Sequence, residues 1–403
     1  MPDITGRVSE AFYRAVEHLF QQGGFTPDMM LQEPVIDLIE ATAGVFNSAI
    51  DTGIKHSTPA ALTERLRTDA TMFSGFKVFN SLNESGLSLT DDKGNIKSWD
   101  AFRLDALKID NAYNQNYLRT EYNFAIASAQ GAARWADITA GGDDAEIQYR
   151  TAGDDHVRVT HQILNGITLP ATHPFWENYF PPNDWGCRCT AIQVRKGKYP
   201  RTDSGAAMQL GETATSGKNK EVFRFNPGKQ ERVFPKRHAY NTSACVNCQY
   251  NTVQLAKNNN PLCEVCAQIR QIAEWKTKAR RNPQEANTEV KNWINTSPFD
   301  SVKAPSLHTG KLFLSHRVVK NYLAHAYSSE AKWIVTKLEK SADRLTFVSS
   351  AGITPGKERQ KHKMGIWSFN YYTFNFMGKD WDIAKGISKD GAREMPYSIR
   401  PKK

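Results

Sequence analysis

No stretch of this 403-residue chain approaches the ~18 consecutive apolar residues that a membrane-crossing helix needs. Its start, MPDITGRVSE, carries an acid and none of the apolar core of a signal peptide, so the expectation is a protein made in the cytosol with no membrane partner. Internal repeats and low-complexity runs are also missing, which sets aside collagen-like and mucin-like readings. Cysteine is scarce. The six fall as Cys187/Cys189, Cys245/Cys248 and Cys263/Cys266, which is metal-ligand spacing rather than a disulfide framework. What is present, 40% hydrophobic and 23% charged residues, is the composition of folded domains.

The formal charge of +10 is uneven. From Lys303 to Lys403 there are 19 Lys and Arg against 8 Asp and Glu, so this last quarter carries +11 and the rest is close to neutral. A basic domain on a neutral body points to a polyanion as that domain's partner, because phosphate attraction follows local potential. A solvated lysine-rich surface is the alternative.

Apolar spacing of three and four reads as helices over the first ~135 residues, with Pro34 suited to a first turn and Ser98 to a cap. Beyond Gly141-Gly142 the pattern becomes short strands and rigid turns, an α+β continuation to about 195. Residues 196–241 hold few apolar residues and read as a linker. Residues 242–282 form a cysteine module with a following helix. The basic domain, 302–403, reads as two helices and then an antiparallel meander over 369–377, 381–388 and 393–399, with Asp390-Gly391 as a hairpin signal. The fold class is therefore multidomain.

Two CxxC pairs, Cys245/Cys248 and Cys263/Cys266, are placed to supply all four thiolates of one tetrahedral Zn²⁺. Four sulfurs leave no open position, so such a zinc is structural. A redox pair or unligated cysteines are the alternative.

In the middle of the chain, Arg119-Thr120-Glu121 on a helix is followed by Tyr149, Asp155, Arg158 and His161, then by Pro174-Phe175-Trp176 and PPNDWGCRC. This series resembles the phage Mu F-type minor head protein family over roughly residues 1–195, most strongly from Arg119 onward. The resemblance implies a low-copy virion component associated with the portal and other head proteins, formed in the host cytoplasm and lodged in the phage head. Taken from the residues alone, His161, Cys187 and Cys189 offer three donors of a metal site, with Asp155 or His173 as a possible fourth. The competing reading is a buried hydrogen-bonded cluster of His161, Asp155 and Arg158 with the cysteines as small apolar packing.

The order of elements in the basic domain resembles the barnase/EndoU/colicin/RelE-like nucleases, in architecture and residue type rather than by a motif. That resemblance implies metal-independent RNA cleavage, with no catalytic cofactor and with an immunity protein as a partner. The candidates for base, acid and phosphate cations are His325, preferred over His316, with Arg359, Tyr371 and Thr373. Lys357, Lys361, His362, Lys363 and Arg393 are candidate RNA contacts, and Glu394, Ser398 and Arg400 read as one polar strand face with Glu394 as the carboxylate base. A purely structural head protein whose basic domain binds packaged DNA is the rival reading.

Overall fold

The computed structural model describes residues 4–142, 145–240, 261–280, 283–296, 303–306, 310–313, 316–326, 328–338, 345–377 and 379–402. For 261–263, 279–280, 283–285, 294–296, 303–306, 310–313, 316–317, 325 and 329 the description stops at the backbone. The chain forms two compact units, Met1–Ala273 and Glu274–Lys403.

Unit one is built on the helices α1 (Ile4–Gln21), α2 (Glu33–Gly53), α3 (Ala60–Leu87), α4 (Trp99–Asp110) and α5 (Leu118–Ala140). Pro34 sits in the first turn of α2, and the Ser98 hydroxyl caps α4 by accepting from the Ala101 amide at 3.4 Å. Phe12, Phe46, Leu66, Phe73, Phe102 and Phe124 fill the space between these helices. α2 ends against the backbone of α5. A Cβ at Gly53 would lie 2.7 Å from the Ile126 carbonyl oxygen and from Ala129 Cβ, so only glycine permits that approach. Between α4 and α5 the chain passes through a π-helical turn, Asn111–Tyr117, steadied by an Asn114 to Asp110 hydrogen bond of 2.8 Å.

A small antiparallel sheet follows, in the order β2 (Thr168–Pro170), β1 (Glu146–Arg150), β3 (Thr190–Val194). The short helices α6 (Val159–Gln162) and α7 (Phe175–Asn178) connect its strands. Tyr149, Phe175, Trp176 and Phe180 make its core.

The stretch expected as a linker is part of this unit. Its helix α8 (Ser204–Ala214) is capped by Asp203, which accepts from the Ala206 amide at 2.9 Å, and it buries Ala207, Gly211 and Ala214. The segment after α8 runs back over the helices. Asp69 on α3 accepts from the amides of Val233 and Phe234 at 3.0 and 2.9 Å and from Arg232 at 2.8 Å, while Phe234 stacks on Phe73 at 3.7 Å. The apolar residues are too few for an independent core, but Phe223, Phe225, Val233, Phe234 and Tyr240 are all buried against a core made elsewhere.

α9 (Pro261–Arg280) crosses the boundary between the units, and α10 (Pro283–Thr296) opens the second. Next come β4 (Lys303–Ser306), β5 (Gly310–Phe313), α11 (His316–His325), α12 (Ser329–Leu338), β6 (Thr346–Gly352), α13 (Glu358–Lys363), β7 (Ser368–Phe376), β8 (Lys379–Ile387) and β9 (Arg393–Pro401). The expected meander β7-β8-β9 is present. It is the middle of a larger sheet with order β4-β5-β9-β8-β7-β6, antiparallel except where β5 runs parallel to β9.

One face of this sheet is dry, with Tyr372, Phe374, Phe376, Trp381, Ile383 and Ile399 all buried. The expected floor of Glu394, Ser398 and Arg400 is corrected here. Register along β8 and β9 shifts between Ala384 and Lys385, so that Ala384 pairs Ser398 and Lys385 pairs Pro396, with Tyr397 as the extra residue. This bulge turns Glu394 to the dry face, while Ser398 and Arg400 stay on the other. Glu394 is fully buried and serves as the hub of a polar network. It accepts from Tyr372 at 2.6 Å and Asn370 at 3.0 Å and pairs with Lys385 at 3.1 Å.

Candidate functional site

The wet face of the unit-two sheet carries an open groove of about 770 Å³. Period-two alternation along β7 sends Tyr371 and Thr373 into it, opposite the buried Tyr372 and Phe374. β9 adds Ser398 and Arg400, and the chain end adds Lys402. Lys357 and Lys361, just before and within α13, close one side. The Lys361 ammonium lies 4.1 Å over the Tyr397 ring and is hydrogen-bonded to its hydroxyl.

Asp382, a residue the sequence reading passed over, also lines this groove. It pairs across the sheet with Thr373 on β7 and with Arg400 on β9, which sets a carboxylate between a hydroxyl and a guanidinium. The alternation of β8 outward from the buried Trp381 was the signal for it.

Of the predicted nuclease residues, the structure gathers Tyr371, Thr373, Lys357 and Lys361 in the groove. Arg359, His362, Lys363 and Arg393 are exposed and do not line it, and the His362 ring stacks on Trp367 at 4.5 Å. His316 and His325 begin and end α11, but their side chains lie outside the described residues, as do Cys245 and Cys248 entirely and the side chain of Cys263. Cys266 is buried on α9.

The second place of interest is in unit one. His161, at the end of α6, is 2% exposed, and its Nδ1 lies 3.6 Å from Cys187 Sγ and 3.8 Å from Cys189 Sγ. The two thiols face the same way because Arg188 between them points outward, in a bidentate pair with Asp154 at 2.7 and 2.5 Å. Arg158, three residues before the histidine, reaches the Trp185 carbonyl at 2.6 Å and Asp184 at 3.4 Å. The loop before the histidine and the loop of the cysteines are thus tied by two ion pairs beside the donors. The hydrogen bond shared by the cysteines holds the Cys187 thiol well below its usual range and pushes that of Cys189 up.

The alternative of a buried His161–Asp155–Arg158 cluster is not what forms. Asp155 is exposed, and Arg158 is engaged by Asp184 and Trp185. His173 is committed elsewhere, with Nε2 at 2.9 Å from the Ser204 hydroxyl and Nδ1 accepting from the Phe175 amide. Of the remaining motif residues, Arg119 is exposed and Glu121 is buried in an ion pair with Lys77.

No helix among the described residues is long and apolar enough to cross a membrane. Residues 89–192 match the family described as Phage Mu protein F like protein. The Mu-like prophage FluMu F protein of Haemophilus influenzae is 33% identical over 100 residues, which is 23% of this chain and 24% of that protein. The putative capsid assembly protein F of Escherichia phage Mu is 34% identical over 73 residues, 18% of this chain and 17% of that protein. The matched stretches span about a quarter or less of these curated relatives. No solved structure matches the chain significantly. The residues that match the family, 89–192, include Glu121, the buried imidazole and the paired thiols.

Proposed function

We propose that the protein is a phage head-assembly component, carried in the virion with portal and head proteins as partners, whose second unit grips RNA in the groove and cleaves it. The head role rests on the Mu F-like segment and on the relative named as a capsid assembly protein. The observation that carries the second part is the convergence of Lys357, Lys361, Arg400 and Lys402 on a groove floored by Tyr371 and Thr373. Cations at that density bind a phosphodiester backbone, and Tyr371, 38% exposed, offers a ring on which a base stacks.

For cleavage, Asp382 takes the 2′-hydroxyl proton and Arg400 stabilises the pentavalent phosphate. Tyr397, polarised by Lys361, protonates the leaving 5′-oxygen. This assignment moves the base from Glu394 to a carboxylate that a substrate can reach. The four cysteines 245, 248, 263 and 266 are read as one structural zinc site, and an immunity protein as the partner that keeps such an activity silent in the host.

The test uses the full chain with labelled RNA and DNA in the presence of a chelator of free divalent ions. RNA cleavage that Asp382→Asn abolishes, with binding retained, supports the proposal. Binding of both nucleic acids without cleavage replaces it with the structural reading, in which the basic unit holds packaged DNA.

A further inference from the structure

Outside the groove, the described residues bring three soft or borderline metal donors together at one place only, at His161, Cys187 and Cys189, whose ligand atoms all lie within 4.8 Å of one another. A tetrahedral ion with a metal–sulfur bond of ~2.3 Å and a metal–nitrogen bond of ~2.0–2.1 Å separates nitrogen from sulfur by about 3.6 Å. The two nitrogen–sulfur separations here are 3.6 and 3.8 Å. We propose that His161 Nδ1, Cys187 Sγ and Cys189 Sγ bind a single zinc-class cation that pins the loop around residue 158 to the loop around residue 187.

Three further observations support the site. The frame exists without the ion, because Arg158 grips the Asp184–Trp185 loop while Arg188 grips Asp154, so the donors meet beside two clamps. Gly186, at φ +66°, permits the turn that delivers Cys187 beside the imidazole. The imidazole is 2% exposed and turns Nδ1 toward both sulfurs, so the nitrogen that a zinc-class ion would take is aimed at the thiols and shielded from solvent.

Thiolate and imidazole donors select zinc-class ions over magnesium or calcium. Three protein ligands leave a fourth position. The donors line a pocket of about 10 Å³ together with His156, Arg158, Gly186 and Arg188, which has room for about one water as the fourth ligand. The site is distinct in sequence from the four cysteines 245, 248, 263 and 266.

The experiment measures bound zinc on the full-length chain by elemental analysis after gel filtration, comparing wild type with Cys189→Ser and with His161→Ala. Each variant is expected to lose about one equivalent relative to wild type, and cobalt replacement is expected to lose part of its sulfur-to-metal charge-transfer band. Unchanged metal content and an unchanged cobalt spectrum in both variants overturn the proposal. Because His161→Ala can fail to fold, the wild-type chain supplies an independent readout. Alkylation of Cys187 and Cys189, mapped by mass spectrometry, is expected to rise at least tenfold when a zinc chelator is added. Equal labelling with and without chelator also overturns it.

Discussion

Lys77 on α3 and Glu121 on α5 form a buried ion pair at 2.7 Å, with side chains 1% and 5% exposed. Tyr240, at the far end of the returning segment, donates its hydroxyl to the other carboxylate oxygen, and its ring lies 5.1 Å from the Lys77 ammonium. Tyr113 and Tyr117 from the π-helical turn face the same ammonium at 5.6 and 6.0 Å. Burial lowers the Lys77 pKa, and Glu121 opposes that shift by holding the charge. Three segments distant in sequence are joined through one charge.

Removing one member strands the other. Glu121→Leu and Lys77→Met are each expected to cost about 3–5 kcal/mol in urea unfolding, whereas the double variant Lys77→Met/Glu121→Leu costs clearly less than their sum. Additive losses, or single losses under about 1 kcal/mol, contradict a coupled pair.

The returning segment adds stability to unit one. Phe234→Ala removes the ring stacked at 3.7 Å on Phe73 and is expected to destabilise by about 3–5 kcal/mol. A free linker predicts a change within about 0.5 kcal/mol, so thermal unfolding separates the two cases.

His238 is packed between Phe73 and Phe76, and burial lowers its pKa to about 3 from 6.5. Below pH 6.5 the unfolded chain binds a proton that the folded chain refuses, so this contribution to stability is full above that pH and falls away toward pH 3. His238→Phe is expected to flatten the stability curve between pH 6.5 and about 4, read by denaturant titration at several pH values. An unchanged slope removes His238 as a source of acid sensitivity.

Gly53→Ala places a methyl 2.7 Å from the Ile126 carbonyl oxygen, and a helix backbone cannot yield as a side chain does. A loss of about 1–3 kcal/mol is expected by thermal unfolding, and a neutral result means that α2 and α5 sit farther apart than described.

In the groove, Arg400→Ala combined with Lys402→Ala removes two phosphate-facing cations and is expected to weaken binding to RNA about tenfold or more at 0.15 M salt. The slope of log affinity against log salt should fall by about 1–2. Loss of affinity with an unchanged slope points to misfolding rather than lost phosphate contacts.

The helices α1 to α5 and the strands β7 to β9 were legible because their apolar residues repeat at helical or strand period within one element. β4, β5 and β6 were not, since Lys303–Ser306 and Gly310–Phe313 have too few residues to show alternation and the burial of β6 is weak throughout. Clustering of His161 with Cys187 and Cys189 was legible as spacing, but the clamps Arg158–Asp184 and Arg188–Asp154 depend on loop geometry that no period encodes. Glu394 was misplaced because strict alternation was carried through Tyr397. Asp382 was overlooked for the opposite reason, in that alternation from Trp381 was not followed far enough.

The extra residue at Tyr397 works as a frame shift written into the backbone. Upstream of it β9 supplies the anhydrous hub of Glu394, and downstream the same strand supplies cations to solvent. Excising that single position would join Pro396 to Ser398 in an unbroken ladder with Glu394 and Ile399 still facing inward, so what the strand would forfeit is the Tyr397 ring itself and its seat under the Lys361 ammonium.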